Sequence, residues 1–413
     1  MRVALATTRL ALLTGILTTT FVLPAEAAWE FLPRAEVRAE SNDNLRLAPD
    51  NTLDIENASR TRLEARARLT NFNERGNIYF EPRIRSDSYG ETENSDLEGT
   101  DIFLRGRGEY RWETLALGFR SDYDKQDVRD AEITGATPED PDIDDPIDPD
   151  TGVLSVIEQD RERTVFTPYA EVQVSERSAL LFEARLMDVS YSAAQLTNRS
   201  NFTDTEFSAG IVRRVDARNE VSARVYSSQY EAETNFNTTE TVGVQGNFTR
   251  PLGRGWTFDL TAGVNRSDYS FVNEQNQVVV NADTSFTYGL GFRQRTERSS
   301  LNIDLLRRNN PNSNGFLTLR DEVRVYLRRA MSERLTGGLA VRTYRTQTLD
   351  DVVQNDQRDY MRVELELQWA LNQRMSINGG YAFTTQEFQA ATRDDATSNM
   401  LFVGFQYQGI ARQ

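Results

Sequence analysis

The chain has 413 residues, is 38% hydrophobic and 27% charged, and carries a formal net charge of -16. It contains no cysteine and no histidine, which excludes disulfides, thiolate metal sites, Ser-His-Asp hydrolysis and imidazole metal chemistry. Net acidity argues against nucleic acid as a partner, and we expect neither an enzyme nor a cofactor-binding protein.

The N-terminus reads as a secretory signal over residues 1–27. Arg2 and Arg9 are its basic region, Leu10 to Leu23 its apolar core and Ala25-Glu26-Ala27 its cleavage motif. The remaining residues, 28–413, read as one domain. Mean hydropathy is -0.59, and no later run approaches the ~18 apolar residues of a membrane helix. A membrane strand is half polar, however, so low hydropathy does not exclude it.

Strict alternation then recurs along the chain. Leu63, Ala65, Ala67 and Leu69 interleave with Arg62, Glu64, Arg66 and Arg68. Ile78, Phe80 and Ile84 interleave with Glu81, Arg83 and Arg85, and Ile102, Leu104 and Tyr110 with Arg105, Arg107, Glu109 and Arg111. The clearest hairpin runs from Arg358 to Phe383. Met361, Val363, Leu365, Leu367 and Trp369 alternate with Arg362, Glu364, Glu366 and Gln368, and the pattern resumes at Met375. A period of two is a strand with one apolar and one polar face. The pattern predicts about eighteen such strands, with sixteen to twenty allowed.

The connections alternate in kind. One set is short and alike, as in Asn73-Glu74-Arg75, Ser175-Glu176-Arg177, Asp216-Ala217-Arg218 and Asn372-Gln373-Arg374. Small hydrogen-bonding residues open such tight turns. The other set is longer and rich in Asp, Asn and Thr. Trp29, Trp112, Trp256 and Trp369 fall at strand ends beside the short turns. Tyr89, Tyr123, Tyr191, Tyr230, Tyr269 and Tyr344 fall towards the long loops, and both sets are expected at membrane interfaces. The predicted fold is all-β: a transmembrane antiparallel up-and-down β-barrel, apolar side chains to lipid and charges to a watery lumen. A soluble sandwich or solenoid would place the same faces the other way round. The barrel reading puts the protein in the outer membrane of a Gram-negative cell, with both termini periplasmic.

The connection from Asp124 to Arg163 is set apart by its length and its Asp and Pro content. It reads as a solvated acidic outer loop, as a constriction folded into the lumen, or as a calcium site formed by Asp140, Asp142, Asp144, Asp145, Asp148 and Asp150. The D-x-D-x-D-G calcium pattern is absent.

On the barrel reading, the lumen is lined by Arg62, Arg66, Arg68, Arg83, Arg85, Arg105, Arg107, Arg111, Arg320, Arg324, Arg328, Arg342 and Arg362. Cross-strand Arg–Glu pairing would simply brace the wall. An excess of arginine would instead favour anions. The expected function is passage of anionic solutes, either small ones or an acidic polysaccharide; the other reading is a non-conducting structural or surface-interaction barrel. Expected partners are outer-membrane lipid and lipopolysaccharide, the latter bridged to the acidic loops by divalent cations.

Residues 35–71, with a first strand ending in Ser41-Asn42-Asp43-Asn44-Leu45, then a polar loop and a second strand, resemble the β-barrel porin families found with bacterial exopolysaccharide export and exosortase systems. The arginine-rich lumen is also similar in style to the alginate exporter. The resemblance implies an outer-membrane barrel that passes polysaccharide.

Overall fold

A computed structural model describes residues 29–45, 47, 57–90, 98–128, 159–192, 199–233, 237–272, 278–311, 317–348, 358–388 and 395–409. The signal segment and the six aspartates from Asp140 to Asp150 lie outside the described residues.

Eighteen strands form, each where the alternation predicts one. They are β1 (Trp29–Asn42), β2 (Ala58–Phe72), β3 (Gly76–Tyr89), β4 (Gly99–Arg111), β5 (Leu115–Asp127), β6 (Asp160–Ser175), β7 (Ser178–Tyr191), β8 (Phe202–Arg214) and β9 (Glu220–Ala232). The second half comprises β10 (Thr238–Gly253), β11 (Trp256–Val272), β12 (Val278–Arg295), β13 (Ser299–Pro311), β14 (Leu317–Ala330), β15 (Leu335–Thr348), β16 (Arg358–Ala370), β17 (Met375–Phe388) and β18 (Ala396–Gln408). Each strand pairs antiparallel with its sequence neighbours, and β1 pairs with β18, so the sheet closes on itself. Closure leaves no unpaired edge, which hydrocarbon could not satisfy. The long acidic connection is shorter than the sequence suggests. Asp124–Asp127 continue β5 and Asp160–Arg163 open β6, because Asp124↔Arg163 and Gln126↔Arg161 are paired across the ladder.

The barrel is apolar on the outside. Phe286 (70% exposed), Val280 (69%), Val242 (63%) and Leu401 (62%) point away from the axis. On β16 the outward row runs from Met361 to Trp369. Its eight steps at ~3.3 Å, tilted by ~40°, span roughly 20 Å, close to the apolar band of a membrane barrel. Towards the long loops the band gives way to a polar row on the same face. Arg307, Asp321, Arg345 and Asp359 stand directly opposite one another across β13 to β16. Arg307 and Arg345 each grip the neighbouring aspartate through two bonds of 2.6–2.8 Å.

Most short turns are closed by the side chain of their first residue. Asn73 Oδ1 accepts the backbone N–H groups of Arg75 and Gly76 at 2.9 and 2.8 Å, and Asn372 Oδ1 does the same for Arg374 and Met375. Asp216 accepts from the backbone of Arg218 and from Asn219, which holds its carboxyl below the ordinary range. The turn carbonyls of Arg75, Arg177, Arg298, Arg334 and Arg374 then accept from the next hairpin, extending the ladder to the rim. The β10–β11 turn differs, with Gly253 and Gly255 at φ of 89° and 77°. A Cβ on Gly255 would stand 1.9 Å from the Arg295 carbonyl oxygen, so glycine is required there.

All four tryptophans lie at the short-turn end on the membrane face; Trp29, Trp112 and Trp369 are 42–54% exposed. The tyrosines require a correction. Tyr191, Tyr230 and Tyr344 are buried on the lumen side, at 6%, 1% and 3% exposure. Tyr89 also faces inward, within reach of Arg60. Of the six, only Tyr123 shares the outward face, beside Glu162. Height along the strand suits a membrane interface, but the face is set by parity: Tyr344 falls two residues after the lumen-facing Arg342.

Candidate lumen site

All thirteen arginines expected to line the lumen stand on the inner face of the barrel. They fall in two groups, on β2 to β4 and on β14 to β16. Between them β17 and β18 contribute uncharged residues such as Ser376, Asn378, Thr384 and Gln406.

Many of these arginines are braced as a polar sheet face demands. Arg62 holds Asp87 bidentately at 2.8 and 2.9 Å. Arg68 reaches Glu81 at 3.0 Å, Arg83 reaches Glu64 at 2.7 Å, Arg85 reaches Asp101 at 2.8 Å and Arg105 reaches Asp122 at 3.2 Å. Arg111 bonds Glu109, and Arg362 bonds Glu364 and Thr384 at 2.7 and 3.0 Å.

Bracing does not explain the register. Arg34, Arg66 and Arg83 stand directly opposite one another across β1, β2 and β3. Arg324, Arg342 and Arg362 do the same across β14, β15 and β16, and Arg107 faces Arg120 across β4 and β5. Like charges directly opposite are destabilising, by roughly 0.2–1 kcal/mol per pair. A wall selected only for stability would alternate sign at each level.

The basic character is confined to one side. On β7 to β11 the inner face carries Glu183, Asp204, Glu206 and Asp259 against Arg185 and Arg224. The lumen therefore has a basic sector running from β13 round through β4 and an acidic sector facing it.

The two ends also differ. In the long-loop half, many lumen-facing side chains are buried, with Arg161 and Arg358 at 0% exposure, Arg85, Arg320, Glu322 and Tyr230 at 1%. In the short-turn half, Arg111, Arg120, Arg293 and Arg328 are exposed. A cavity of about 380 Å³ lies there against Arg107, Glu109, Arg120, Tyr169, Glu183 and Arg224. A second, of about 260 Å³, lies against Arg34, Arg38, Arg328, Glu364 and Glu366. Beside the first, the Tyr169 ring covers Gly118, where a Cβ would meet it at 2.3 Å, and its hydroxyl donates to Glu109 at 2.8 Å.

Sequence reasoning missed several members of the wall. Arg34, Arg38 and Arg60 belong to it, with Arg60 bridging Glu40 and Asp87. Arg161 and Arg163 both bind the buried Asp124. Arg308 opposes Arg320 across the ladder. Strand parity is the signal that finds each of them: Asn302, Asp304 and Arg308 share one face of β13. Among the described residues no carboxylate cluster has the arrangement of a metal site.

No protein-family model matches the sequence, and no curated protein matches it in sequence. Several solved outer-membrane structures are similar in fold. The crystal structure of Pseudomonas aeruginosa OccK2 (OpdF) in complex with glucuronate covers 92% of this chain and 98% of its own, at 11% identity and a TM-score of 0.46. Pseudomonas aeruginosa OpdK with vanillate covers 92% and 99%, at 9% identity and 0.43. The siderophore receptor PiuA from Acinetobacter baumannii covers 92% and 82%, at 9% identity and 0.44.

Proposed function

We propose that the protein is an outer-membrane channel for small anionic solutes. The observation that carries this reading is the pair of three-arginine rows, Arg34–Arg66–Arg83 and Arg324–Arg342–Arg362, set level with one another without an acid between them. Their electrostatic cost in stability is repaid if the wall has to attract anions, as rings of Arg do in pores. The net charge of -16 does not oppose this, because the basic sector is local and faces the lumen. The short turns would lie in the periplasm together with both termini, the long loops outside, where their acidic residues would meet lipopolysaccharide through divalent cations. The acidic exopolysaccharide implied by the resemblance is the finer form of this proposal and rests on residues 35–71 alone.

A second reading is favoured by burial. Many lumen-facing side chains of the long-loop half are covered, which fits a barrel closed at that end and serving a structural or surface role. Current across a planar bilayer under a salt gradient decides between them. A steady conductance with an anion-favouring reversal potential supports the channel; folded protein that passes no current, or one that prefers cations, refutes it. Orientation is tested separately. The chain has no cysteine, so single cysteines at Glu333 and Asp395 give clean labels. An impermeant thiol reagent on whole cells should label the second and spare the first.

A further inference from the structure

Glu322 sits on the inner face of β14, 1% exposed, among four guanidinium groups. Arg342 donates to its Oε1 at 2.8 Å. Arg324 stands 3.8 Å from the same oxygen, and Arg320 and Arg308 stand 3.6 and 3.9 Å from Oε2. The last three contacts are too long for good hydrogen bonds. Nε of Arg320, Nε of Arg324 and both Nε and Nη2 of Arg308 are buried and hydrogen-bond to no other group of the protein. Buried donors of this kind are rare in a native fold and call for an explanation. Arg320 also lies 3.6 Å over the Tyr344 ring, which fixes its plane.

Glu322 offsets one of the four positive charges and Asp304 stands opposite Arg324 across the ladder, so the cluster keeps an excess of two. Arg308 and Arg320 flank it on the long-loop side, Arg324 and Arg342 on the short-turn side. Arg308 and Arg324 each keep 26% of their side-chain surface exposed, so the cluster opens towards the lumen through them.

We propose that the arginines around Glu322 form a phosphate-binding station in the lumen wall, which takes inorganic phosphate or the phosphoryl group of a small phosphomonoester. A planar monocarboxylate would offset one charge and meet donors in one plane. A tetrahedral dianion offsets two and offers oxygens to β13 and to both levels of β14. Guanidinium forks hold such oxygens bidentately. Glu322 is then a resident counter-ion that keeps the cluster stable while the station is empty. The proposal rests on the channel reading, since an anion has to reach this wall through the lumen.

Calorimetric titration of the folded protein in detergent, with inorganic phosphate and with acetate, tests the station without requiring current. Phosphate should bind saturably and at least about tenfold more tightly than acetate, and R308Q/R324Q should weaken it by at least about tenfold. Glu322→Gln should bind phosphate more tightly than the parent. Arg266→Ala, on the membrane face, should not change binding. Heat-modifiable gel migration establishes that each variant is folded, and R308Q alone, at the exposed mouth, serves if the double variant is not. Absence of saturable phosphate binding, equal binding by R308Q/R324Q, or acetate binding as tight as phosphate would each overturn the proposal. A saturable site in protein that passes no current would sink the channel and leave the station standing. Anion current with no phosphate site would do the reverse.

Discussion

Reversing the charge of Arg328 isolates the electrostatics of the lumen from its stability. The side chain is exposed in the 260 Å³ cavity and donates to Gln368 Oε1 at 2.8 Å. Across the ladder it faces the small residues Gly338 and Ser300, so little packing is lost. Arg328→Glu should therefore fold with a change in stability within about 0.5 kcal/mol. A unit charge about 6 Å from a passing ion contributes roughly 0.7 kcal/mol in water, and screening at 0.1 M salt leaves about 0.4. Exchanging plus for minus doubles that to about 0.8 for an anion, with the opposite sign for a cation. The anion-to-cation preference should then fall by up to about tenfold at 0.1 M, and by only about twofold at 1 M, where the Debye length is about 3 Å. Reversal potentials in a planar bilayer at both ionic strengths measure this. An unchanged preference, or a change as large at 1 M as at 0.1 M, would refute the claim that ions pass along this wall.

Other substitutions probe the architecture. Glu322→Leu should lower stability by about 3–5 kcal/mol, because it strands buried guanidinium groups; the urea midpoint of refolding into lipid vesicles reads this. Asn73→Ala removes the acceptor of two backbone N–H groups and should cost about 1 kcal/mol in the same assay, whereas Asn73→Asp should be nearly neutral. Tyr169→Ala uncovers Gly118 and removes a donor to Glu109. It should enlarge the 380 Å³ cavity and raise single-channel current if ions use that side. Fluorescence of the four tryptophans should be quenched more by lipids brominated near the headgroup than near the chain end; deeper quenching would contradict their place at the rim of the apolar band.

The architecture was legible because a barrel strand declares itself locally. Alternation in Arg62 to Leu69 or Met361 to Trp369 fixes which side chains share a face. The Asn, Ser or Asp at the head of most short turns marks where the chain reverses, and the side-chain oxygen that closes the turn is already visible there. That the thirteen arginines share the inner face of the barrel follows from this parity alone. The same parity, applied to Tyr191, Tyr230 and Tyr344, would have turned them inward; reading them by height sent them to the wrong face.

What single strands do not contain is the partner across the ladder. Arg34, Arg66 and Arg83 belong to three strands, and their level is set by loop lengths and closure rather than by any local pattern. Glu322 likewise draws its arginines from β13, β14 and β15. The sequence therefore determined the strands, their faces and the residues presented to the lumen, because a period of two is a local property. Only the closed tertiary structure decided which charges meet, which half of the lumen is covered and where the basic sector faces the acidic one. Coulomb interactions depend on distance in space, and here that distance is created by register.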